Sequence, residues 1–147
     1  MRQSLKKSRS MLLIGLPALL LACGDSNGPA SPAVAGNYAA TFFVTTGGSG
    51  QTNQLAAGST LTLNLAANGA TSGHLHYAGS GGIAPFDADM AGTWSVNANV
   101  VDITQPADSF VRDMLFTWGP DQNGIASLTG DQVFSGTRVQ IILTRVQ

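Results

Sequence analysis

Apolar and polar residues alternate along most of the chain after residue 36. Leu61, Leu63 and Leu65 fall on one side of a two-residue repeat, with Thr60, Thr62 and Asn64 on the other. Met114, Phe116 and Trp118 repeat the pattern, and so do Val139, Ile141 and Leu143. Successive side chains of a strand point to opposite faces, so this period marks strands buried on one side. Eight are predicted, at 37–46, 59–67, 71–78, 89–97, 100–104, 112–118, 124–130 and 136–146. Asn68-Gly69 and Asn123-Gly124 supply tight-hairpin chemistry, because both residue types tolerate positive φ. No segment shows the apolar stripe of a sustained helix, although 109–115 also fits a short helical turn.

The connections then alternate in length. The first (47–58), third (79–88) and fifth (105–111) are long, and the seventh (131–135) is intermediate. The second, fourth and sixth are tight, at 68–69, 98–99 and 119–123. In an up-and-down meander the odd connections share one end and the even ones the other. The expected fold is therefore an all-β, eight-stranded, mainly antiparallel barrel over 36–147, with a loop-rich mouth and a closed opposite end. Closure also removes exposed sheet edges.

The domain opens with Gly36-Asn37-Tyr38 and carries Arg145 in its last strand. This resembles the lipocalin and calycin pattern, in which Gly-x-Trp begins the first strand and a late Arg packs across that ring; Tyr38 stands in the place of Trp. Gly92-Thr93-Trp94 repeats the motif in the fourth strand. The resemblance implies that Tyr38 and Arg145 meet at the closed end, a contact worth about 0.5–1 kcal/mol. A barrel of eight strands is just wide enough to be filled by side chains or to hold one small ligand. If hollow, its lining is expected to include Phe42, Leu63 and Phe116. Small bacterial protease-inhibitor barrels are similar in length but usually carry a disulfide.

The first 35 residues follow different rules. Arg2, Lys6, Lys7 and Arg9 precede an uncharged apolar run at 11–22. Twelve residues are too few to span a bilayer, which takes about 20, and suit the core of a signal peptide. The run ends in Leu20-Leu21-Ala22-Cys23, which resembles the lipobox of bacterial lipoproteins. That resemblance implies removal of 1–22 and lipidation of Cys23, the only cysteine of the chain. Stable anchoring needs more than one acyl chain. Gly24 after the cysteine resembles the outer-membrane-sorted pattern. Residues 23–35 read as the lipidated cysteine and a tether, small, polar and broken by Pro29 and Pro32. Such a segment spans on the order of 20 Å.

Charge becomes lopsided after the signal. Three basic residues remain, Arg112, Arg138 and Arg145, against eight aspartates. Nucleic acid demands clustered Lys or Arg and is not an expected partner. With one cysteine, at the lipidation point, neither a disulfide nor a catalytic thiol is available to the domain.

Candidate chemistry is sparse. His74 and His76 share one face of a strand, and such pairs can begin a zinc or copper site with Asp87 or Asp89. The plainer reading is a solvated face opposite Leu75 and Tyr77, with no metal. Asp87 and Asp89 lack the further oxygen ligands of a calcium loop. The stretches GGSG and GSGG lack both the nucleophile-elbow order and the Lys of a phosphate loop. No catalytic residues and no cofactor are implied, and no enzyme is expected. Phe86, Phe110 and Phe134 fall in or beside the odd connections, which places three apolar rings at the mouth. They either guide an apolar ligand or fold down as a lid on the core. Two functions fit: an envelope-anchored barrel that binds a small apolar ligand, or a protein-interaction or structural envelope component without a cavity.

Overall fold

A computed structural model of the chain describes residues 33–80 and 83–146. The expected signal segment, Cys23 and most of the expected tether lie outside the described residues. Ten strands and one helical turn follow in order: β1 (Gly36–Gly47), β2 (Gly50–Asn53), β3 (Thr60–Leu65), β4 (Ala70–Tyr77), β5 (Phe86–Asp89), β6 (Gly92–Asn97), β7 (Val100–Thr104), α1 (Phe110–Asp113), β8 (Phe116–Pro120), β9 (Ala126–Phe134) and β10 (Thr137–Val146). Among them no helix is long and apolar enough to cross a membrane.

Every strand pairing is antiparallel, and consecutive staves are neighbours. β10 closes onto β1, from Asn37 opposite Val146 to Thr46 opposite Arg138. The result is a closed eight-stranded barrel. β2 and β5 lengthen it at one end: β2 continues the pairing of β1 beyond β3, and β5 continues that of β4 beyond β6. The predicted fourth strand is thus divided at Met90-Ala91, where the buried Met90 N–H donates to the Gly73 carbonyl at 3.0 Å.

Besides shifts of one or two residues at several strand ends, three boundaries differ from the sequence pattern in ways that change the packing. The sixth strand starts at Phe116 rather than 112, because 110–113 turn into α1 and bury Val111. The seventh runs on to Phe134, so the expected 131–135 loop shrinks to the two-residue turn Ser135-Gly136. Finally, Val34 is buried against the barrel, so the last residues of the expected tether belong to the folded body.

The interior is packed with side chains. Tyr38, Phe43, Leu61, Leu63, Leu65, Leu75, Phe116, Leu128 and Ile141 are all fully buried. A void large enough for water would leave part of them accessible, so Leu63 and Phe116 are core residues rather than the walls of a cavity. Phe42 is not interior at all: it is 41% exposed, and Phe43 points inward at 1%. A β-bulge causes the exchange. Ala40 faces Leu143 and Phe42 faces Ile142, leaving Thr41 unpaired, and the inward set passes from even to odd positions. Gly130 faces inward on β9, where an added Cβ would lie 2.1 Å from Met114 Sδ.

The closed end is fastened by polar contacts. Arg145 lies 5.5 Å from the Tyr38 ring centre, and its Nη2 is 3.1 Å from the Tyr38 hydroxyl. The same nitrogen also lies within hydrogen-bond distance of the carbonyls of Ala33 and Ala35, its two hydrogens serving two of these three acceptors, while the Tyr38 hydroxyl donates to that of Val34. Trp94 Nε1 donates to the Ala66 carbonyl at 2.9 Å.

Candidate functional site at the barrel mouth

The four odd connections meet at the end opposite Tyr38 and Arg145. β2, Ser80 and Ile83 of the third connection, α1 and the Ser135-Gly136 turn border two adjoining clefts. The first, about 440 Å³, is walled by Phe86 from β5, Phe110 from α1 and Phe134 from the end of β9, with Tyr77 and Ile83. The three phenylalanines placed at the mouth by sequence therefore do share one cleft. Their rings rest on the core below: Phe110 packs on Phe43 at 5.3 Å, Phe43 on Tyr77 at 6.2 Å, and Tyr77 on Phe86 at 5.3 Å. α1 closes the barrel under this cleft by burying Val111, while Phe86, Phe110 and Phe134 stay partly accessible. Lid and rim are thus the same residues, with their lower surfaces sealing the core and their upper surfaces lining a concavity.

The rim of this cleft carries Asp108 and Asp113. Arg112 serves both: Nη2 donates to Asp108 at 2.6 Å and Nε to Asp113 at 3.1 Å. The hydrogen bond that Arg112 donates to Asp113 is the main reason the guanidinium is held above its ordinary range. One cation between two carboxylates leaves the rim slightly acidic.

The second cleft, about 520 Å³, is polar. It is lined by hydroxyls of Thr45, Ser49, Thr52, Ser80 and Thr137 and by the glycines of the β1–β2 turn. Thr45 and Thr137 belong to both clefts. Beneath their shared wall lies Gln54, fully buried. Its Nε2 is 2.7 Å from Thr45 Oγ1, 2.5 Å from Ser80 Oγ and 3.3 Å from the Tyr77 hydroxyl, while its Oε1 accepts from Ser59 at 3.2 Å. Sequence reasoning missed this network. Gln54 sits in a turn with no period, and Thr45 reads as inward only once the bulge at Thr41 is known.

His74 and His76 lie on the outer wall, away from the mouth clefts. The β4–β5 register sets His74 opposite Asp89 and His76 opposite Asp87. Both nitrogens of His74 meet carboxylates, Nδ1 at Asp89 and Nε2 at Asp87, each at 3.1 Å; His76 Nδ1 meets Asp87 at 2.8 Å. The hydrogen bond to Asp89, then that to Asp87, holds the His74 imidazolium above its usual range. Asp87 is held below its own, first by His76 and then by His74. Among the described residues no group of three or more His, Cys, Asp or Glu is arranged to hold a metal ion.

No protein-family model, curated protein or solved structure matches the chain.

Proposed function

We propose that the chain is a lipid-anchored envelope protein, sorted to the outer membrane, whose barrel binds a small apolar ligand at its mouth rather than in its interior. The observation that carries this reading is the convergence of Phe86, Phe110 and Phe134 on one cleft of about 440 Å³, a size ordinary for small-molecule sites. The filled core beneath gives that cleft a rigid floor. The chain enters β1 at the closed end, so an anchor at Cys23 directs the mouth away from the bilayer.

Titration with an environment-sensitive apolar dye tests the binding claim. Saturable uptake at one site is expected, weakened about tenfold or more by Phe134→Ala. That change removes a partly buried ring, and the variant's unfolding midpoint checks that the core beneath it stays packed. Lack of saturable uptake contradicts the reading.

The packed interior favours one rival. A barrel without a cavity also suits a protein-docking component whose contact surface is the mouth loops. Crosslinking in envelope preparations, with the Phe134→Ala protein as control, would then capture a partner in place of dye. The anchor is tested separately: Cys23→Ser should move the protein from the membrane to the soluble fraction, and retention in the membrane would contradict lipidation.

A further inference from the structure

The polar cleft adjoins the apolar one across a wall formed by Thr45 and Thr137. A ligand lying against the phenylalanines therefore has a second compartment within reach, of quite different chemistry. Among the described residues no charged side chain lines it. What it offers is hydroxyls and backbone.

A count of hydrogens shows that these hydroxyls are not used up by one another. The Gln54 amide has two hydrogens but three hydroxyl oxygens within reach, and its nitrogen accepts nothing. Two of those contacts can be hydrogen bonds. The remaining contacts in the cluster are Tyr77 with Ser80 at 2.6 Å and Thr45 with Ser80 at 3.3 Å, each using one hydroxyl hydrogen. Thr45, Ser80 and Tyr77 supply three. Among the described residues, one hydroxyl hydrogen is left without an acceptor, at the wall between the clefts, beside oxygens that retain lone pairs. Gln54 is fully buried and Thr45 nearly so, which fixes the cluster, while Ser80 is half-buried and lines the cleft, so the spare hydrogen is within reach of a ligand there.

From this geometry we infer that the mouth takes a neutral amphiphile: an apolar chain or ring on Phe86, Phe110 and Phe134, and an uncharged, hydroxyl-bearing head group in the Thr45–Ser80 cleft. A hydroxyl partner both accepts the spare hydrogen and donates to the lone pairs. A carboxylate or ammonium head would lose its hydration for no opposite charge. The inference rests on the mouth being a ligand site.

The test is calorimetric titration of the full chain with probes that share an eight-carbon tail: octyl glucoside below its micelle-forming concentration, octanol, octanoate and octyltrimethylammonium. Octyl glucoside is expected to bind about tenfold more tightly than octanol, the effect of one or two well-made hydrogen bonds, and more tightly than either ionic probe. Thr45→Val keeps the shape and removes the hydroxyl; it should reduce the glucoside-to-octanol ratio to within about twofold. Ser80→Ala, from the other side of the wall, should act in the same direction and serves if the first variant fails to fold. Equal binding of glucoside and octanol, or a ratio untouched by both variants, overturns this inference while leaving the apolar site intact. Failure of every probe, together with the apolar dye, removes the mouth site itself.

Discussion

An unpaired residue in β1 decides which of two adjacent phenylalanines enters the core. Thr41 is accommodated as a bulge, Phe43 turns in and Phe42 turns out. Phe43→Ala should therefore cost about 3–5 kcal/mol by urea denaturation, as for other buried rings, and Phe42→Ala less than about 1 kcal/mol; equal costs would contradict the bulge. Gly73 gives a second residue-scale prediction. Its φ is +139°, and an added Cβ would lie 2.2 Å from the Thr62 carbonyl oxygen across the β3–β4 pair. The obstruction is backbone and cannot swing aside, so Gly73→Ala should destabilise by about 2–4 kcal/mol in the same assay. On the outer wall, Asp89→Asn should lower the His74 pKa towards the usual 6.5, read from imidazole proton shifts against pH; an unchanged titration would show that the pair is not formed. The raised pKa of His74 stabilises the fold fully below 6.5 and less as pH rises through the raised value. The lowered pKa of Asp87 stabilises it above 3.8, with loss as pH falls through the lowered value. His74 and Asp87 therefore support one another most between those limits, and salt weakens the pair because both are exposed. At this scale the sequence was legible where period two ran unbroken, as at Leu61, Leu63 and Leu65. It was not legible at Phe42-Phe43, because a bulge leaves the composition unchanged while reversing every later side chain of its strand.

Among the elements, the β9–β10 hairpin departs most from its pattern. Residues 131–134 lack apolar alternation, since Asp131 and Val133 face outward and only Gln132 and Phe134 face in, so the segment resembles a loop. Cross-strand pairing settles the matter: Asp131 forms a two-point ion pair with Arg138 and accepts from Gln140 on β10. The turn itself has φ of 47° at Ser135 and 82° at Gly136, the combination of a type I′ hairpin. Ser is a poor residue for the first of these positions and Asn a good one. Ser135→Asn should therefore stabilise the protein by about 0.5 kcal/mol, a rise of a few degrees in the melting midpoint; a fall would contradict the turn assignment. α1 shows why the 109–115 segment fitted two readings. Val111 and Met114 are both buried, and their three-residue spacing suits a helical turn, while Met114, Phe116 and Trp118 continue as a strand.

For the molecule as a whole, loop parity was the most informative feature of the sequence, because chain direction reverses at every tight hairpin. Long connections then have to collect at one end, and Phe86, Phe110 and Phe134 with them. Whether the barrel is hollow was not legible, since alternation states which residues point inward but not how much space they leave. Packing answers it: Phe43, Phe116 and Met114 are all fully buried, and the proposed ligand site moves to the rim. On the proposed reading, an anchor at Cys23 joins the closed end, the clefts lie at the opposite end, and the mouth faces the surrounding space. Mapping the binding of an apolar probe by NMR on aromatic and methyl groups tests this most directly. Saturable shifts confined to Phe86, Phe110, Phe134, Tyr77 and Ile83 are expected. Shifts centred on Leu63, Phe116 and Leu128, deep in the barrel, would contradict it.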